Sequence, residues 1–187
     1  MKIGDVVTLY KKGVSIEKNN PTSNKSTYRY LRCSEVDNGL ISGSDVSYIK
    51  DITDDLKPFI CNKGDLLISR FGSVNYSYVV EEDNYIVPNP HFYIFRFDTT
   101  KVDTYYMASV LIKELGKIKP VGGRNIVIRH FSDINTINNM DIELPSIEDQ
   151  KRLGEVYQEH LNRIKELTNE LNKEKEKLTS FWFFFLI

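Results

Sequence analysis

The stretch Leu144–Leu153, LPSIEDQKRL, divides the sequence into two parts of different character. Short apolar runs precede it, whereas a run rich in Glu and Lys follows it almost to the end of the chain. Ser146 with Asp149 three residues later resembles a helix capping box, and Glu148 and Asp149 fall where a helix dipole favours negative charge. The stretch therefore predicts a long helix that begins just after Pro145.

The predicted helix carries a narrow apolar seam, which is typical of a helix that packs against a partner helix. An alternative is that the helix lies back on its own domain. However, some 30 residues of helix span about 45 Å, whereas about 145 residues should have a radius of gyration of about 15 Å. The tail FWFFFLI is too short for a bilayer, which needs about 20 residues. We expect the tail to pack against the partner helix, with a membrane-surface anchor or a truncation scar as alternatives. The seam consists of Leu153, Tyr157, Leu161, Ile164, Leu167, Leu171 and Leu178.

Before the junction, apolar runs rich in Tyr, Ile, Val and Phe alternate with Gly, Asn, Asp and Pro clusters, which predicts strands joined by turns. The segment at 102–119 is a plausible single helix, and the polar segment at 11–29 is predicted to be a long surface loop or a wide hairpin tip. The prediction is an α+β fold, with a strand-rich domain at 1–145 and a long coiled-coil-type helix with an apolar tail at 146–187. The best strand candidates are TYRYLRCSEV (27–36), DLLISRF (65–71), YSYVV (76–80) and FYIFRF (92–97).

Composition limits the classes of function. The chain has 187 residues, 41% of them hydrophobic, so it can bury a core. Its formal net charge of −1 excludes a domain-wide basic field, so any nucleic-acid site must be a local patch. Cys33 and Cys61 are too few for a disulfide framework and are expected to be buried thiols. The first residues do not resemble a secretory signal, and we expect a cytoplasmic protein without membrane association.

Signatures of catalysis are weak. His91, His130 and His160 lie far apart and show no metal-ligand spacing, and neither a GxSxG elbow nor a GxxxxGK[ST] phosphate loop occurs. Asn89-Pro90-His91-Phe92 superficially resembles the Asn-Pro-Pro-Tyr motif of adenine methyltransferases but lacks the second proline and a glycine-rich cofactor loop. We interpret it as a turn that enters FYIFRF. The sequence therefore predicts a protein that is not an enzyme and holds neither a cofactor nor a metal.

Five phrases, in this order, resemble the specificity subunits of type I restriction-modification systems. The junction phrase is the most specific of them, and together they cover most of the chain. The phrases are YLRCSEVDNGLI (30–41), GDLLISRFGS (64–73), YYMASVLIKELGKI (105–118), GGRNI (122–126) and IELPSIEDQKRL (142–153).

The resemblance implies a target recognition domain followed by a spacer helix. Family members usually carry two of each in one chain, and this sequence has one. A half-length subunit could homodimerise through its helices and read an inverted repeat, or the chain could be a truncated cassette. The implied function is non-catalytic placement of double-stranded DNA for adenine methyltransferase subunits, which bind S-adenosylmethionine, and for a restriction/translocase subunit. The alternative is a coiled-coil assembly protein that has lost DNA recognition.

Three polar segments could supply groups that contact bases and phosphates. They are the loop at 11–29, the turn after GDLLIS, and the segment around Gly122 and Gly123. Arg32 and Arg96 lie inside strand phrases and are set aside, because such arginines are as often paired with an acid on the sheet. The candidate DNA-binding residues are Lys11, Lys12, Lys25, Tyr28, Arg29, Arg70, Ser73, Asn75, Tyr76, Lys119, Arg124, Asn125 and Arg129.

Overall fold

The fold is taken from a computed structural model. It describes residues 1–16, 27–37, 39–41, 46–70, 77–83, 85–116 and 134–185. The strands are β1 Val7–Lys12, β2 Tyr28–Leu31, β3 Val36–Asp37, β4 Leu40–Ile41, β5 Tyr48–Ile49, β6 Leu66–Ser69, β7 Ser77–Val79, β8 Ile86–Pro88 and β9 Phe92–Phe97. The helices are α1 Thr104–Gly116, α2 Ile134–Asn138 and α3 Ile147–Phe185, and single 3-10 turns occur at Ile3–Asp5, Cys33–Glu35 and Lys57–Phe59.

A four-stranded antiparallel sheet in the order β1-β9-β6-β7 forms the centre of the domain. Its inner strand β9, FYIFRF, is buried along most of its length. Because successive strand residues point to opposite faces, Tyr93 and Phe95 join a core cluster with α1, whereas Phe92 and Ile94 join a second cluster on the other face. A continuous apolar strand is what a sheet covered on both faces requires.

A smaller three-stranded sheet, in the order β5-β2-β8, packs beside the first. In it β2 pairs antiparallel with β5 and parallel with β8. Its core is a third cluster that includes Tyr30, Ile49, Leu56 and Val87. The short strands β3 and β4 form a separate two-stranded ribbon.

The predicted α+β fold class is confirmed, with a strand-rich N-terminal region and a long C-terminal helix. All four strand candidates contain strands, and the helix predicted within 102–119 is α1. The predicted loop at 11–29 is wrong at both ends, because Lys11 and Lys12 belong to β1 and Tyr28 and Arg29 belong to β2. All four residues pair with neighbouring strands. These strands are half-exposed and carry side chains of mixed polarity, and such a pattern also predicts a loop.

The long helix α3 begins where the junction predicts. The Ser146 hydroxyl accepts a hydrogen bond from the Asp149 backbone N–H at 3.2 Å and donates to the Asp149 carboxylate at 2.9 Å. The cap thus satisfies one of the amides that a helix start leaves without an intrahelical partner. Within the described part of the chain, no helix is long and apolar enough to cross a membrane.

Candidate nucleic-acid interface

One end of the four-stranded sheet gathers two of the predicted basic side chains. The registers place Lys12 opposite Tyr93, and Tyr93 opposite Ile68. Arg70 follows β6 at this same end, and its guanidinium carbon lies 5.1 Å from the centre of the Tyr93 ring. Lys12 and Arg70, far apart in sequence, therefore lie at the same end of one sheet.

Arg70 is held at this end by the neighbouring turn. Its Nη1 donates to the Pro90 carbonyl at 3.0 Å, and its backbone N–H donates to the His91 carbonyl at 2.7 Å. The turn is the expected one: the Asn89 side-chain oxygen accepts from the His91 backbone N–H at 3.1 Å, and the chain then enters β9. His91 is exposed beside Arg70. His91 shows no metal-ligand spacing in the sequence, and its position at this end of the sheet follows only from its place in the turn.

Lys11 is tied to another part of the domain. Its Nζ donates to the Pro58 carbonyl at 2.5 Å and lies 4.9 Å from the centre of the Phe59 ring. A cation above an aromatic face is attracted by the ring quadrupole. Lys12 is exposed, whereas Lys11 is half-buried. Lys12 is therefore the more accessible of the two cations.

Arg29 and Tyr28 lie in the second sheet. The Arg29 Nη2 donates to the Glu35 carboxylate at 2.8 Å, and the two side chains are only 12% and 5% exposed. The other Glu35 oxygen accepts from the Arg32 backbone N–H at 2.8 Å. Tyr28 is half-buried against the third core cluster. The pair of Arg29 and Glu35 therefore stabilises the fold around β2. Because the Arg29 guanidinium is bound to Glu35 and largely buried, little of it is available for a contact with DNA.

Arg96, which was set aside as a candidate, does pair with an acid. Its Nε and Nη2 donate to the two carboxylate oxygens of Asp65 at 2.7 and 2.8 Å. The remaining candidates, Lys25, Ser73, Asn75, Tyr76, Lys119, Arg124, Asn125 and Arg129, lie outside the described residues.

The seam predicted on α3 divides between the domain and solvent. Tyr157 packs against the core cluster beneath α1, and Leu161 is buried, with its side chain close to Gly39. Gly39 has φ of 78°, and a Cβ there would lie 2.7 Å from a Leu161 methyl carbon. The other seam residues are exposed, together with two that the sequence reasoning did not include. This exposed stripe consists of Leu153, Val156, Ile164, Leu167, Leu171, Leu178 and Phe181.

Two kinds of reactive group, metal ligands and thiols, can be assessed in the described ranges. No group of three His, Cys, Asp or Glu side chains there could hold a metal ion. Cys33 and Cys61 are free thiols, with Cys61 buried and Cys33 half-buried. Burial raises the pKa of the Cys33 thiol to about 11, and the pKa of Cys61 is raised as well, again mainly by burial. Both groups stay protonated near neutral pH, so neither is an activated nucleophile.

The fold and the exposed stripe together define a class of architecture, a strand-rich domain joined to a long helix that exposes an apolar face. Comparison with protein families identifies the class more closely. The model of the type I restriction modification DNA specificity domain matches residues 1–177, and the chain belongs to that family. The specificity subunits of this family are non-catalytic. A comparison with curated proteins gave no match.

Solved structures show the same fold at low sequence identity. The S subunit of a type I restriction-modification system from M. genitalium matches with a TM-score of 0.62 and 15% identity over 93% of this chain. A structure from work on complex assembly and conformational transition of the type I R-M system matches with a TM-score of 0.63 and 14% identity over 97%. The HsdS subunit from Thermoanaerobacter tengcongensis gives 0.61 and 15% over 89%. The matches cover 42%, 42% and 38% of those chains, so this chain spans about two fifths of their length.

Proposed function

We propose that this chain is the DNA-reading half of a type I specificity subunit, and that two copies joined through α3 direct an adenine methyltransferase, with or without a restriction/translocase subunit, to a target site in the cytoplasm. The observation that carries the proposal is the division of α3. Its first turns are fixed to the strand-rich domain through Tyr157 and Leu161, whereas the rest of its apolar face is exposed. Exposed leucines at Leu167 and Leu171 on a long helix favour a second helix as their cover.

The DNA-contacting surface would be the end of the four-stranded sheet that carries Lys12 and Arg70. Lys12 is exposed and suited to a phosphate contact, and Arg70 is oriented by Pro90 and Tyr93. Arginine in a fixed orientation suits the two acceptors of a guanine edge. The chain between Arg70 and Ser77 contains Ser73, Asn75 and Tyr76, so the proposal includes these three as contacts. Lys25, Lys119, Arg124, Asn125 and Arg129 are proposed on residue type alone.

The charges along α3 favour an antiparallel over a parallel pairing of two copies. Written as a heptad, Ile164 and Leu171 occupy one core position, whereas His160, Leu167 and Glu174 occupy the other. In a parallel pair each residue would meet its own copy, so two Glu174 carboxylates would face each other. Like charges in a desolvated position are strongly unfavourable.

In an antiparallel pair the two core positions alternate across the interface. Ile164 of one copy would then face Leu167 of the other, and the two Glu174 carboxylates would lie far apart. The two strand-rich domains would lie at opposite ends of the helix pair. A two-fold arrangement of this kind reads an inverted repeat, as symmetric DNA-binding dimers do.

Affinity purification of the tagged full-length chain from its own host tests this function. Native mass spectrometry of the purified complex should show two copies of the chain with an adenine methyltransferase. Sequencing of methylated adenines in the same host should show a bipartite site that is lost when the gene is deleted. A complex without a methyltransferase, together with an unchanged methylation pattern, would instead support the coiled-coil assembly protein.

A further inference from the structure

The junction between the strand-rich domain and α3 is built around a buried glutamine. The Gln150 side chain is 1% exposed, on the first turn of α3. Its Oε1 accepts from the Asp103 backbone N–H at 3.1 Å, and its Nε2 donates to the carbonyls of Lys101 and Pro145 at 3.3 and 3.0 Å. The side-chain oxygen of Gln150 thus has one backbone donor, and its side-chain nitrogen has two backbone acceptors. Gln150 therefore links the start of α3 to the chain entering α1 and to its own junction.

A second feature of the same junction is the close approach of α3 to the start of α1 at Gly154. A Cβ added at Gly154, one turn after Gln150, would lie 2.1 Å from the Asp103 carboxylate oxygen and 3.2 Å from the Tyr106 backbone nitrogen. Asp103 Oδ1 in turn accepts from the Tyr106 N–H at 2.8 Å and caps α1. The carboxylate that caps α1 thus occupies the space that any other residue at 154 would need. The Tyr106 hydroxyl adds a bond to the Glu143 carbonyl at 2.9 Å, just before the junction.

A junction of this kind does more than the fold alone requires. Burying an amide is unfavourable unless its hydrogen bonds are made, so an apolar side chain could have filled the site without that requirement. What the amide adds is direction, because two of its bonds reach backbone groups of the chain entering α1 while the third holds the amide against its own junction, which restricts how α3 can turn relative to α1. Buried polar networks that are fully satisfied make a structure rigid and specify one arrangement.

We propose that Gln150, with Gly154 and Asp103, is a positioning device that sets the angle between the DNA-reading domain and the spacer helix, and thereby the number of base pairs allowed between two half-sites. The inference rests on the proposed function for its consequence, although the rigid junction stands by itself. The 39 residues of α3 form a lever about 58 Å long. A tilt of about 3.4° at its base moves the far end by about 3.4 Å, the rise of one base pair. A junction that yielded by a few degrees could not enforce one spacing.

The rigidity of the junction can be measured without DNA. Spin labels at Asp54→Cys in the domain and Lys173→Cys on α3 would report their distance by double electron–electron resonance, with labelled chain diluted into unlabelled full-length chain. Cys33 and Cys61 are hindered and hold their protons at pH 7, so labelling is directed to the introduced cysteines. We expect a narrow distribution for the unmodified junction. Gln150→Met, which keeps the volume but removes the amide, should broaden it, and Asn162→Met on the exposed side of α3 should not.

Gly154→Ala tests the same device by displacement. Its Cβ should push α3 away from α1 and shift the mean distance. Adding Asp103→Ser removes the opposing carboxylate while keeping a side chain able to cap α1, so the double variant should return the distance towards its original value. A merely structural role predicts loss of stability in Gly154→Ala without this rescue of geometry. Urea unfolding of each variant verifies that it is folded during the distance measurement.

The functional consequence is measured with the purified methyltransferase complex on duplexes whose half-sites are separated by a graded number of base pairs. We expect the complex with unmodified chain to act at one spacing, Gln150→Met to act at neighbouring spacings as well, and Gly154→Ala to shift the optimum. Unchanged distances and unchanged spacing in both variants would overturn the inference. If the unmodified complex acts on no bipartite site, the proposed function fails, and the distance measurement still decides whether the junction is rigid.

Discussion

Arg96 holds the buried carboxylate of Asp65 with two hydrogen bonds, from Nε at 2.7 Å and from Nη2 at 2.8 Å. Asp65 is 1% exposed and Arg96 is 35% exposed at the side chain. Asp65 also accepts from the Asn62 backbone N–H at 2.8 Å. This ion pair links the start of β6 to β9, the two inner strands of the main sheet. We therefore expect it to contribute more to the free energy of unfolding than the exposed ion pairs do.

Arg96→Met should therefore destabilise the domain by about 2 to 3 kcal/mol, because the substitution leaves the Asp65 carboxylate buried without its cation. The partial exposure of Arg96 keeps the expected cost below that of a fully buried pair. Urea unfolding measures it. Lys57→Met breaks the exposed pair with Asp54 and is the matched control, with an expected change of less than about 1 kcal/mol. Equal effects of the two substitutions would contradict the importance of the Asp65 pair.

Thiol reactivity should follow burial. The pKa of Cys33 is raised to about 11 from an ordinary value near 9, and that of Cys61 is raised too, so the folded chain holds less thiolate than the unfolded chain at pH 8. We expect slow reaction with a disulfide reagent in buffer and fast reaction in urea, with the folded rate increasing as pH rises towards 11. A raised pKa of an acid also means that folding stability declines as pH rises past the unfolded value. Rapid reaction of both thiols in the folded chain would show that these sites are open.

Leu171→Asp should separate two copies of the chain without unfolding either, because Leu171 is exposed on α3 and belongs to none of the three core clusters formed by the described residues. A carboxylate in the centre of a helix pair would be desolvated and unfavourable. Light scattering after size-exclusion chromatography measures the mass, and circular dichroism verifies the helix. Asn172→Asp, the neighbouring position outside the exposed stripe, is the control and should remain a dimer. A monomeric unmodified chain, or a dimer unaffected by Leu171→Asp, would remove α3 as the joining surface.

Arg70→Ala and Lys12→Ala should weaken DNA binding in different ways. Loss of a guanine-reading arginine costs about 1 to 3 kcal/mol at one base-pair position and relaxes specificity there. Loss of a phosphate contact at Lys12 should weaken all sequences alike and lower the salt dependence by about one ion. Salt-dependent binding of the methyltransferase complex to duplexes varied one base pair at a time separates the two. Lys173→Ala on α3 is the control, and an Arg70→Ala complex with unchanged preference at every position would exclude Arg70 as a reader.

The sequence predicted those elements whose local pattern is compatible with only one kind of structure. The junction at Ser146 has a proline before it and acids after it, and α3 begins there. FYIFRF is apolar except for Arg96, and an inner strand covered on both faces accommodates it. The second sheet was not foreseen, because β2 pairs in parallel with β8 across more than 50 residues of chain and no local pattern encodes that contact.

Side-chain roles were harder to predict than elements. Arg29 was expected in a loop and instead pairs with Glu35 in the domain, because residue type alone does not reveal a partner six positions away on a 3-10 turn. Gln150 stood out in the sequence only as part of the junction phrase. Its bonds to Lys101 and Asp103 depend on the packing of α3 against α1, and no local sequence pattern encodes that packing.

Selection from a library of random DNA duplexes by the purified methyltransferase complex tests the central claim most directly. If two copies of this chain read DNA as a two-fold pair, the recovered sequences will be inverted repeats of one half-site at a single spacing. Recovery of a single half-site, of two unrelated half-sites, or of no enriched sequence would contradict that account.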